Sequence, residues 1–182
     1  MSSSTPVLSV LLFSRQLRIH VLLVAITFAA CLPCGAGASR SHSVNPDEAV
    51  VVDRAVRAFM QTVSHSVTQD GPTAWITYFD ASPVFFMAVN GQMAFPNAAA
   101  AQEGTRKFAK TIRQIELKWG DDLRVDPLTS EFAIVAVSWR EILVDTLGHS
   151  VTEEGFFTGL AEYREGHWQF RNAHWSAPVP AH

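Results

Sequence analysis

The stretch that decides the fold is Gly155-Phe-Phe-Thr-Gly-Leu-Ala-Glu-Tyr-Arg-Glu-Gly-His-Trp-Gln-Phe-Arg-Asn-Ala-His-Trp-Ser176. Two apolar arms flank a Glu165-Gly166 turn, which predicts a β-hairpin at the centre of a sheet. Strict alternation along the second arm places one set of side chains on a single face, namely Trp168, Phe170, Asn172, His174 and Ser176. Because two large apolar side chains are followed by Asn, His and Ser, we predict a strand that begins in a packed interior and ends lining a cavity.

Residues 1–38 differ in composition from the rest of the chain. They contain no Asp or Glu, carry Arg15 and Arg18, and include an apolar run at 21–30 that precedes Ala36-Gly-Ala38. A run of about ten residues is too short for the roughly 20 that a membrane-spanning helix needs. We therefore predict a signal peptide at 1–38, an exported protein and no transmembrane helix in the mature form.

Both cysteines, Cys31 and Cys34, lie within this first segment, so the mature domain would have no disulfide. Phe28-Ala-Ala-Cys31 resembles a bacterial lipoprotein signal, in which Cys31 would carry the lipid. Lipidation at Cys31, a short uncleaved anchor and a translation start farther downstream therefore stay open as alternatives.

The mature chain has the size and charge of one ordinary globular domain. Removal of 1–38 leaves 182 − 38 = 144 residues, which we assign to a single domain at 39–182. The chain has 14 basic and 17 acidic residues; the loss of two Arg leaves 12 basic and 17 acidic side chains, a net charge of −5. This balance, with no basic run, argues against nucleic acid as a partner.

Capping and turn signals divide the mature chain into elements. Asn45-Pro-Asp-Glu48 predicts the start of a first helix, and Asp70-Gly-Pro72 predicts its end and the start of a short second helix. Asn90-Gly91 between apolar arms predicts a hairpin, and Pro96-Asn97 predicts a third helix. From Gln114 onward the alternation predicts strands. This order predicts an α+β domain, a curved sheet that is antiparallel throughout and wraps around three N-terminal helices.

The order of elements and the last strand resemble the superfamily of nuclear transport factor 2, ketosteroid isomerase and SnoaL-like polyketide cyclases. The resemblance covers residues 46–176 and is strongest in Gly166-His-Trp-Gln-Phe-Arg-Asn-Ala-His-Trp-Ser176. It implies a cone-shaped fold that hosts isomerases, dehydratases, cyclases, hydrolases and proteins without a reaction. The Asp base of the isomerases has no counterpart, because Phe85-Phe-Met-Ala-Val-Asn-Gly-Gln92 contains no carboxylate. The nearest acid, Asp80, is explained by turn hydrogen bonding beside Ser82-Pro83.

His174 is the candidate catalytic residue, since it is titratable and is predicted to face the cavity beside Asn172 and Ser176. The alternative is a core histidine that is hydrogen-bonded to a neighbour. Arg140 and Glu141 lie on opposite faces of one strand, so one of them reaches the cavity, and the sequence leaves open which. Four aromatic residues are predicted either to line a ligand site or to belong to the core, namely Tyr78, Trp119, Trp139 and Phe157.

The histidines show no metal-ligand spacing and the chain has no phosphate or dinucleotide motif, so we predict no metal site and no cofactor. Three functions stay open. The first is an exported domain that binds a small, largely apolar molecule in a cone-shaped pocket. The second is a cyclase, isomerase or dehydratase that uses His174 as acid or base. The third is a purely structural dimerisation module with a filled cone. We expect a homodimer, because an open curved sheet commonly covers itself with a second copy.

Overall fold

The structure, a computed structural model, describes residues 44–178. The predicted signal peptide at 1–38, the lipidation candidate Cys31 and the predicted mature start at Ser39 lie outside these residues. Among the described residues, no helix combines the length and the apolar character needed to span a bilayer.

Three helices precede most of the sheet. Helix α1 spans Pro46–Asp70, a single 3-10 turn at Pro72–Ala74 leads into the one-turn helix α2, Trp75–Tyr78, and helix α3 spans Ala98–Ala109. The predicted caps are present: the Asn45 side chain accepts a hydrogen bond from the Asp47 amide, and the Asn97 side chain accepts one from the Ala100 amide. The three helices predicted from the sequence are therefore confirmed.

Seven strands form one sheet. They are β1 (Phe86–Val89), β2 (Gln92–Phe95), β3 (Ile112–Trp119), β4 (Arg124–Pro127), β5 (Phe132–Asp145), β6 (Ser150–Arg164) and β7 (His167–Ser176). The order across the sheet is β2-β1-β7-β6-β5-β3, and β4 pairs with the free part of β5. The C-terminal hairpin β6–β7 lies at the centre, as its sequence predicts.

The two hairpin turns at Asn90-Gly91 and Glu165-Gly166 have the backbone that their sequences predict. Asn90 and Gly91 have φ angles of 49° and 78°, and Glu165 and Gly166 have φ angles of 54° and 86°. Two consecutive positive φ angles give the type I′ turn, whose twist matches that of the flanking strands.

One pairing differs from the prediction. β1 runs parallel to β7, with Phe86 opposite Asn172 and Val89 opposite Trp175, while the other neighbouring strands are antiparallel. The prediction of a sheet that is antiparallel throughout is therefore wrong, although the α+β class is right. The physical reason is that the β1–β2 hairpin joins the sheet through β1, next to a strand far away in sequence, and the hairpin's own turn does not set that direction.

The core lies between the helices and the face of the sheet that they cover, which we call the inner face; the opposite face is the outer face. α1 buries one stripe against the sheet, formed by Val52, Val56, Phe59, Met60, Val63 and Val67. Two hydrogen bonds fix the helix along β3: the Trp119 Nε1–H donates to the Met60 carbonyl at 2.8 Å, and the Leu117 amide donates to the Thr68 hydroxyl at 3.1 Å.

Candidate functional site

A β-bulge in β7 decides where the predicted site residues lie. Leu160 of β6 pairs with Asn172, but the next residue, Ala161, pairs with Phe170, so Arg171 has no direct cross-strand partner. One extra residue reverses the alternation beyond it. Phe170 therefore faces inward, as do residues 173 and 175, whereas residues 172, 174 and 176 face outward.

The predicted orientation of His174 is therefore wrong. Its side chain is exposed on the outer face, beside Thr158 of β6 and Ala88 of β1, whereas the next residue, Trp175, packs inward. The acid–base role of His174 stays a prediction. We based it on an inward orientation of the side chain, and the bulge reverses that orientation.

Asn172 and Ser176 have structural partners at the same bulged strand. The Asn172 Oδ1 accepts a hydrogen bond from the Leu160 amide at 3.1 Å, which satisfies a donor beside the bulge. The Ser176 hydroxyl donates to the Phe156 carbonyl at 3.1 Å. Both contacts hold β6 against β7, and both side chains lie on the outer face with His174.

Three of the four predicted aromatic residues meet on the inner face. Together with two others they form what we call the aromatic cluster, Trp75, Trp119, Trp139, Phe157 and Trp175, with ring centroids 4.8 to 6.4 Å apart. Tyr78 lies elsewhere, donates a hydrogen bond to the Ser66 hydroxyl at 2.7 Å and packs edge-on against Phe59. The cluster fills much of the cone, so these side chains belong to the core as well as to any site.

Trp139 is the member of the cluster with an unsatisfied polar group. The residue is 6% exposed, and its Nε1–H has no hydrogen-bond acceptor among the described residues. A Cβ on Gly155 would lie 3.0 Å from the Cζ2 atom of Trp139, on the same edge of the indole as Nε1. The edge that carries the N–H is therefore turned toward β6, where the glycine leaves room for it.

The structure shows which of Arg140 and Glu141 faces the interior of the cone. Glu141 lies two residues beyond Trp139, on the same face of β5. Arg140 is exposed on the outer face, and Glu141 faces inward between Leu117 of β3 and Glu153 of β6. Burial, with a smaller effect of the Glu153 charge, raises the pKa of Glu141 from 4.5 to about 7. Among the described residues, no cation lies within 4.0 Å of the Glu141 carboxylate.

These groups lie where the cone is open. β7 ends at Ser176, opposite Phe156, while β6 begins earlier, at Ser150, so residues 150–155 are paired only with β5. We call this opening the mouth and define it by Trp139, Glu141, Glu153, Gly155 and Trp175. The mouth combines the partly exposed ring of Trp175, an N–H donor on Trp139 with no acceptor among the described residues, and a carboxyl group on Glu141 that is neutral in part near pH 7.

Two open cavities lie near the predicted site residues. One, of about 600 Å³, lies at the end of β7, is lined mostly by outer-face positions such as Lys118, Arg140 and Phe156, and reaches the mouth at Trp139 and Gly155. Ser176 and Trp119 also line it. The other, of about 550 Å³, lies between α1, α2 and the start of β7 and includes Tyr78 and Trp168. The predicted ligand-binding residues are thus divided between separate places, and Asn172, Phe157 and His174 line neither cavity.

A further buried carboxylate, that of Asp80, has a structural explanation. The buried Asp80 carboxylate accepts hydrogen bonds from the amide and the hydroxyl of Ser82, which is the turn role predicted for it. In residues 44–178, no three or more His, Cys, Asp or Glu side chains are grouped to hold a metal ion.

Solved structures identify the fold. A nuclear transport factor 2-like superfamily protein from Salmonella enterica aligns with 15% identity and a TM-score of 0.62, over 73% of this chain and 95% of that one. A proposed scytalone dehydratase from Novosphingobium aromaticivorans aligns with 15% identity and a TM-score of 0.63, over 73% and 88% of the two chains. A hexachlorocyclohexane dehydrochlorinase aligns with 10% identity and a TM-score of 0.57, over 71% and 87%.

The protein therefore has the nuclear transport factor 2-like fold, as the resemblance of its last strand implied. No protein-family model matches the chain. No curated protein sequence matches it either. At these identities the structural likeness establishes the architecture and leaves the chemistry to the residues of the site.

Proposed function

We propose that the protein is an exported domain that binds a small, largely apolar molecule at the mouth of its cone. The same fold occurs in proteins named as a dehydratase and a dehydrochlorinase, which supports a role with small molecules. Within the aromatic cluster, the partly exposed rings of Trp119 and Trp175 offer the ligand apolar faces, which are the usual lining of such sites.

One observation carries this proposal: the Nε1–H of Trp139 is buried and has no acceptor among the described residues. A buried donor without a partner costs about 1–3 kcal/mol, so it is rare unless something else satisfies it. A ligand oxygen that accepts this hydrogen bond removes the cost. The ligand would then have an apolar, preferably aromatic body and one acceptor such as a ketone.

The charges at the mouth indicate the class of ligand more closely. Glu141 and Glu153 are directly opposite each other on the inner face. Two facing carboxyl groups repel an anion, so a neutral molecule fits better than a carboxylate or a phosphate. Neutral apolar compounds are therefore the right first probes.

The proposal can be tested with prodan, a neutral naphthalene ketone whose fluorescence reports its surroundings. Trp139→Phe keeps an aromatic ring and removes the N–H. Because one hydrogen bond contributes about 0.5–1.5 kcal/mol net, we expect the Kd for prodan to rise about threefold to tenfold. Trp168→Phe is the matched control, since Trp168 lies at the other end of β7, and its Kd should match that of the unchanged protein.

Two results would contradict this reasoning. Failure of the unchanged protein to bind prodan would contradict the proposed small-molecule site. Equal affinity for prodan in Trp139→Phe would contradict the hydrogen bond to the ligand. The indole N–H would then be satisfied by the ring of Trp175, whose centroid lies 5.2 Å from that of Trp139 and whose plane is nearly perpendicular to it.

Export is the part of the proposal that rests on the sequence alone. The acid-free start, the short apolar run and Ala36-Gly-Ala38 support cleavage before Ser39. N-terminal sequencing of protein from its own host would give Ser39 as the first residue. An intact Met1 would contradict export, and a lipid on Cys31 would favour the lipoprotein alternative.

We also propose that the outer face pairs with a second copy of the chain. Phe86, Ile134 and Phe156 project from three strands of this face and are 41%, 43% and 42% exposed. Apolar side chains spread over one sheet face are typical of an interface. Sedimentation should show a dimer, and Phe156→Glu should shift it toward monomer. A protein that is monomeric at every concentration tested would contradict this pairing.

A further inference from the structure

One edge of the central strand β6 has no partner along part of its length. β7 ends at Ser176, opposite Phe156, so residues 150–155 of β6 are paired with β5 alone. The hydrogen bonds around this segment show which backbone groups point outward. The Asp145 amide donates to the His149 carbonyl at 3.0 Å, so the backbone of His149 faces β5, and the residues after it alternate between the two sides of β6.

This alternation directs the backbone groups of Ser150, Thr152 and Glu154 away from β5. The other end of the segment indicates the same pattern. The Asn90 amide donates to the Trp175 carbonyl at 2.9 Å, so the backbone of Trp175 faces β1 and that of the next residue faces β6. Among the described residues, no other backbone group pairs with these three N–H and three C=O groups. An extended chain can bind to such a row of donors and acceptors.

The sequence after β7 prevents the chain from pairing with this edge itself. Ala177 donates its amide to the Asn90 Oδ1 at 2.7 Å, on the β1 side, so the next residue whose backbone would face β6 is Pro178. Proline has no N–H and cannot donate to the strand opposite. A second proline, Pro180, follows two residues later in the sequence. A continued β7 would therefore lack two successive donors to β6.

The edge carries negative charge that no cation balances. Glu153 is exposed on the inner face and Glu154 on the outer face. Among the described residues, neither carboxylate has a cation within 4.0 Å, although Arg140 is opposite Glu154 in the strand pairing. Glu141 faces Glu153 on the inner face, and burial with the Glu153 charge raises the pKa of Glu141 to about 7. A cation on the open side of Glu153 would offset this repulsion.

We propose that the β6 edge at residues 150–155 binds an extended, positively charged segment of another protein, which adds a strand to the sheet. The backbone of this segment pairs with Ser150, Thr152 and Glu154. Two adjacent basic residues of the segment point to opposite faces of the sheet, as Glu153 and Glu154 do, so one lies beside each carboxylate. The interaction does not depend on a small molecule at the mouth.

The probe is the peptide acetyl-Val-Lys-Lys-Thr-Val-Thr-amide, added to ¹⁵N-labelled protein at physiological ionic strength. In the antiparallel register that continues β7, its two lysines lie opposite Glu154 and Glu153. We expect the amide signals of residues 150–155 to shift and to give a Kd. The same peptide with both lysines replaced by Glu should bind at least about tenfold more weakly, because two attractions become repulsions. Equal binding of the two peptides would overturn the proposal.

Methylation of the peptide backbone separates strand addition from simple attraction between charges. In this register the fourth peptide residue pairs with Thr152, and the fifth directs its backbone away from β6. A methyl group on the nitrogen of the fourth residue removes a donor and should raise Kd about tenfold. A methyl group on the nitrogen of the fifth residue should change Kd less than about threefold. A slip of two residues leaves this difference in place, so similar Kd values for the two peptides would contradict strand addition.

Protein variants test the same contacts from the other side. Glu153→Lys should raise Kd about tenfold, whereas Glu131→Lys, the same charge change at an exposed position beyond the far end of β5, should change Kd less than about twofold because salt screens the distant charge. Thr152→Pro removes an N–H that no described residue pairs with, so the fold should be kept and Kd should rise about tenfold. Equal effects of Glu153→Lys and Glu131→Lys would mean attraction to the overall charge and would overturn the site.

The remaining outcomes are equally decisive. Peptide shifts that centre on residues 150–155 and depend on both the lysines and the methylated position support the proposal. No binding of the peptide by the unchanged protein overturns it. Self-association that Thr152→Pro abolishes, without peptide binding, would assign the edge to a second copy of the chain and would also overturn it. The methylated peptides are compared on the unchanged protein, so this test does not require any variant to fold.

Discussion

The pH dependence of stability gives a direct measurement of the environment of Glu141. The carboxyl group has an ordinary pKa of 4.5, and burial together with the Glu153 charge raises its pKa to about 7 in the folded protein. Because the folded pKa lies above the unfolded one, the folded state binds the proton more tightly. The resulting stabilisation is complete below about pH 4.5 and is lost as the pH rises through about 7.

The size of the effect follows from the same two values. Each factor of ten in proton affinity is worth about 1.4 kcal/mol, so a rise from 4.5 to about 7 corresponds to about 3 kcal/mol. The side chain is only partly buried, and solvent reduces this to about 2–3 kcal/mol. Glu141→Gln cannot ionise. The free energy of unfolding of the unchanged protein, relative to this variant, should therefore fall by about 2–3 kcal/mol between pH 4.5 and pH 8.5.

Urea unfolding followed by tryptophan fluorescence at several pH values measures this difference. The comparison must be made between variants, because other carboxylates titrate in the opposite direction; hydrogen bonds from Ser138, for example, lower the pKa of Asp122. The control, Glu154→Gln, should give a difference that does not change with pH. A difference between the unchanged protein and Glu141→Gln that is equally constant, to within about 0.5 kcal/mol, would falsify the assigned burial of Glu141.

Four further variants test the packing. Phe170→Ala should lower the free energy of unfolding by about 3–5 kcal/mol, because Phe170 is fully buried, whereas Phe156→Ala on the outer face should cost under about 1 kcal/mol if the protein is measured as a monomer. Gly155→Ala should lower the free energy of unfolding by about 1–3 kcal/mol and displace β7, since the new Cβ would lie 1.9 Å from the Ser176 carbonyl oxygen. A stable variant with unchanged amide chemical shifts in β7 would contradict this close contact between Gly155 and Ser176. Asn172→Ala should cost about 1 kcal/mol and speed hydrogen exchange beside the bulge, and unchanged exchange would contradict the bulge contact.

Local signals allowed much of the fold to be predicted. The caps at Asn45 and Asn97 and the turns at Asn90-Gly91 and Glu165-Gly166 depend on residues close in sequence, and each is present in the structure. Such signals depend on backbone conformations that only a few residue types adopt easily. The parallel pairing of β1 with β7 depends on contacts between distant segments, so no local pattern could reveal it.

The candidate site was harder to predict because one inserted residue changed the face of every residue after it. Alternation placed Phe170 correctly and failed beyond Arg171. A signal was present: Trp175, a large apolar residue, was left on the supposed outer face while His174 was placed inside. Placing both Phe170 and Trp175 in the interior would have required a bulge between them. The sequence left Arg140 and Glu141 as alternatives for the interior position. Which face of a strand is buried depends on how the sheet packs against the helices, and the local sequence of β5 does not show this.

β6 extends beyond the end of β7, and the strand edge that this leaves unpaired affects association between molecules. Residues 150–155 present one line of backbone donors and acceptors that no other described strand pairs with. Such an edge can accept a strand from another molecule, which is a common start of aggregation. Here the edge carries adjacent carboxylates at Glu153 and Glu154, so an identical strand added in either direction brings acidic groups close together. Glu153, which helps to form the mouth, and its neighbour Glu154 therefore also keep the β6 edges of separate molecules apart through their negative charge.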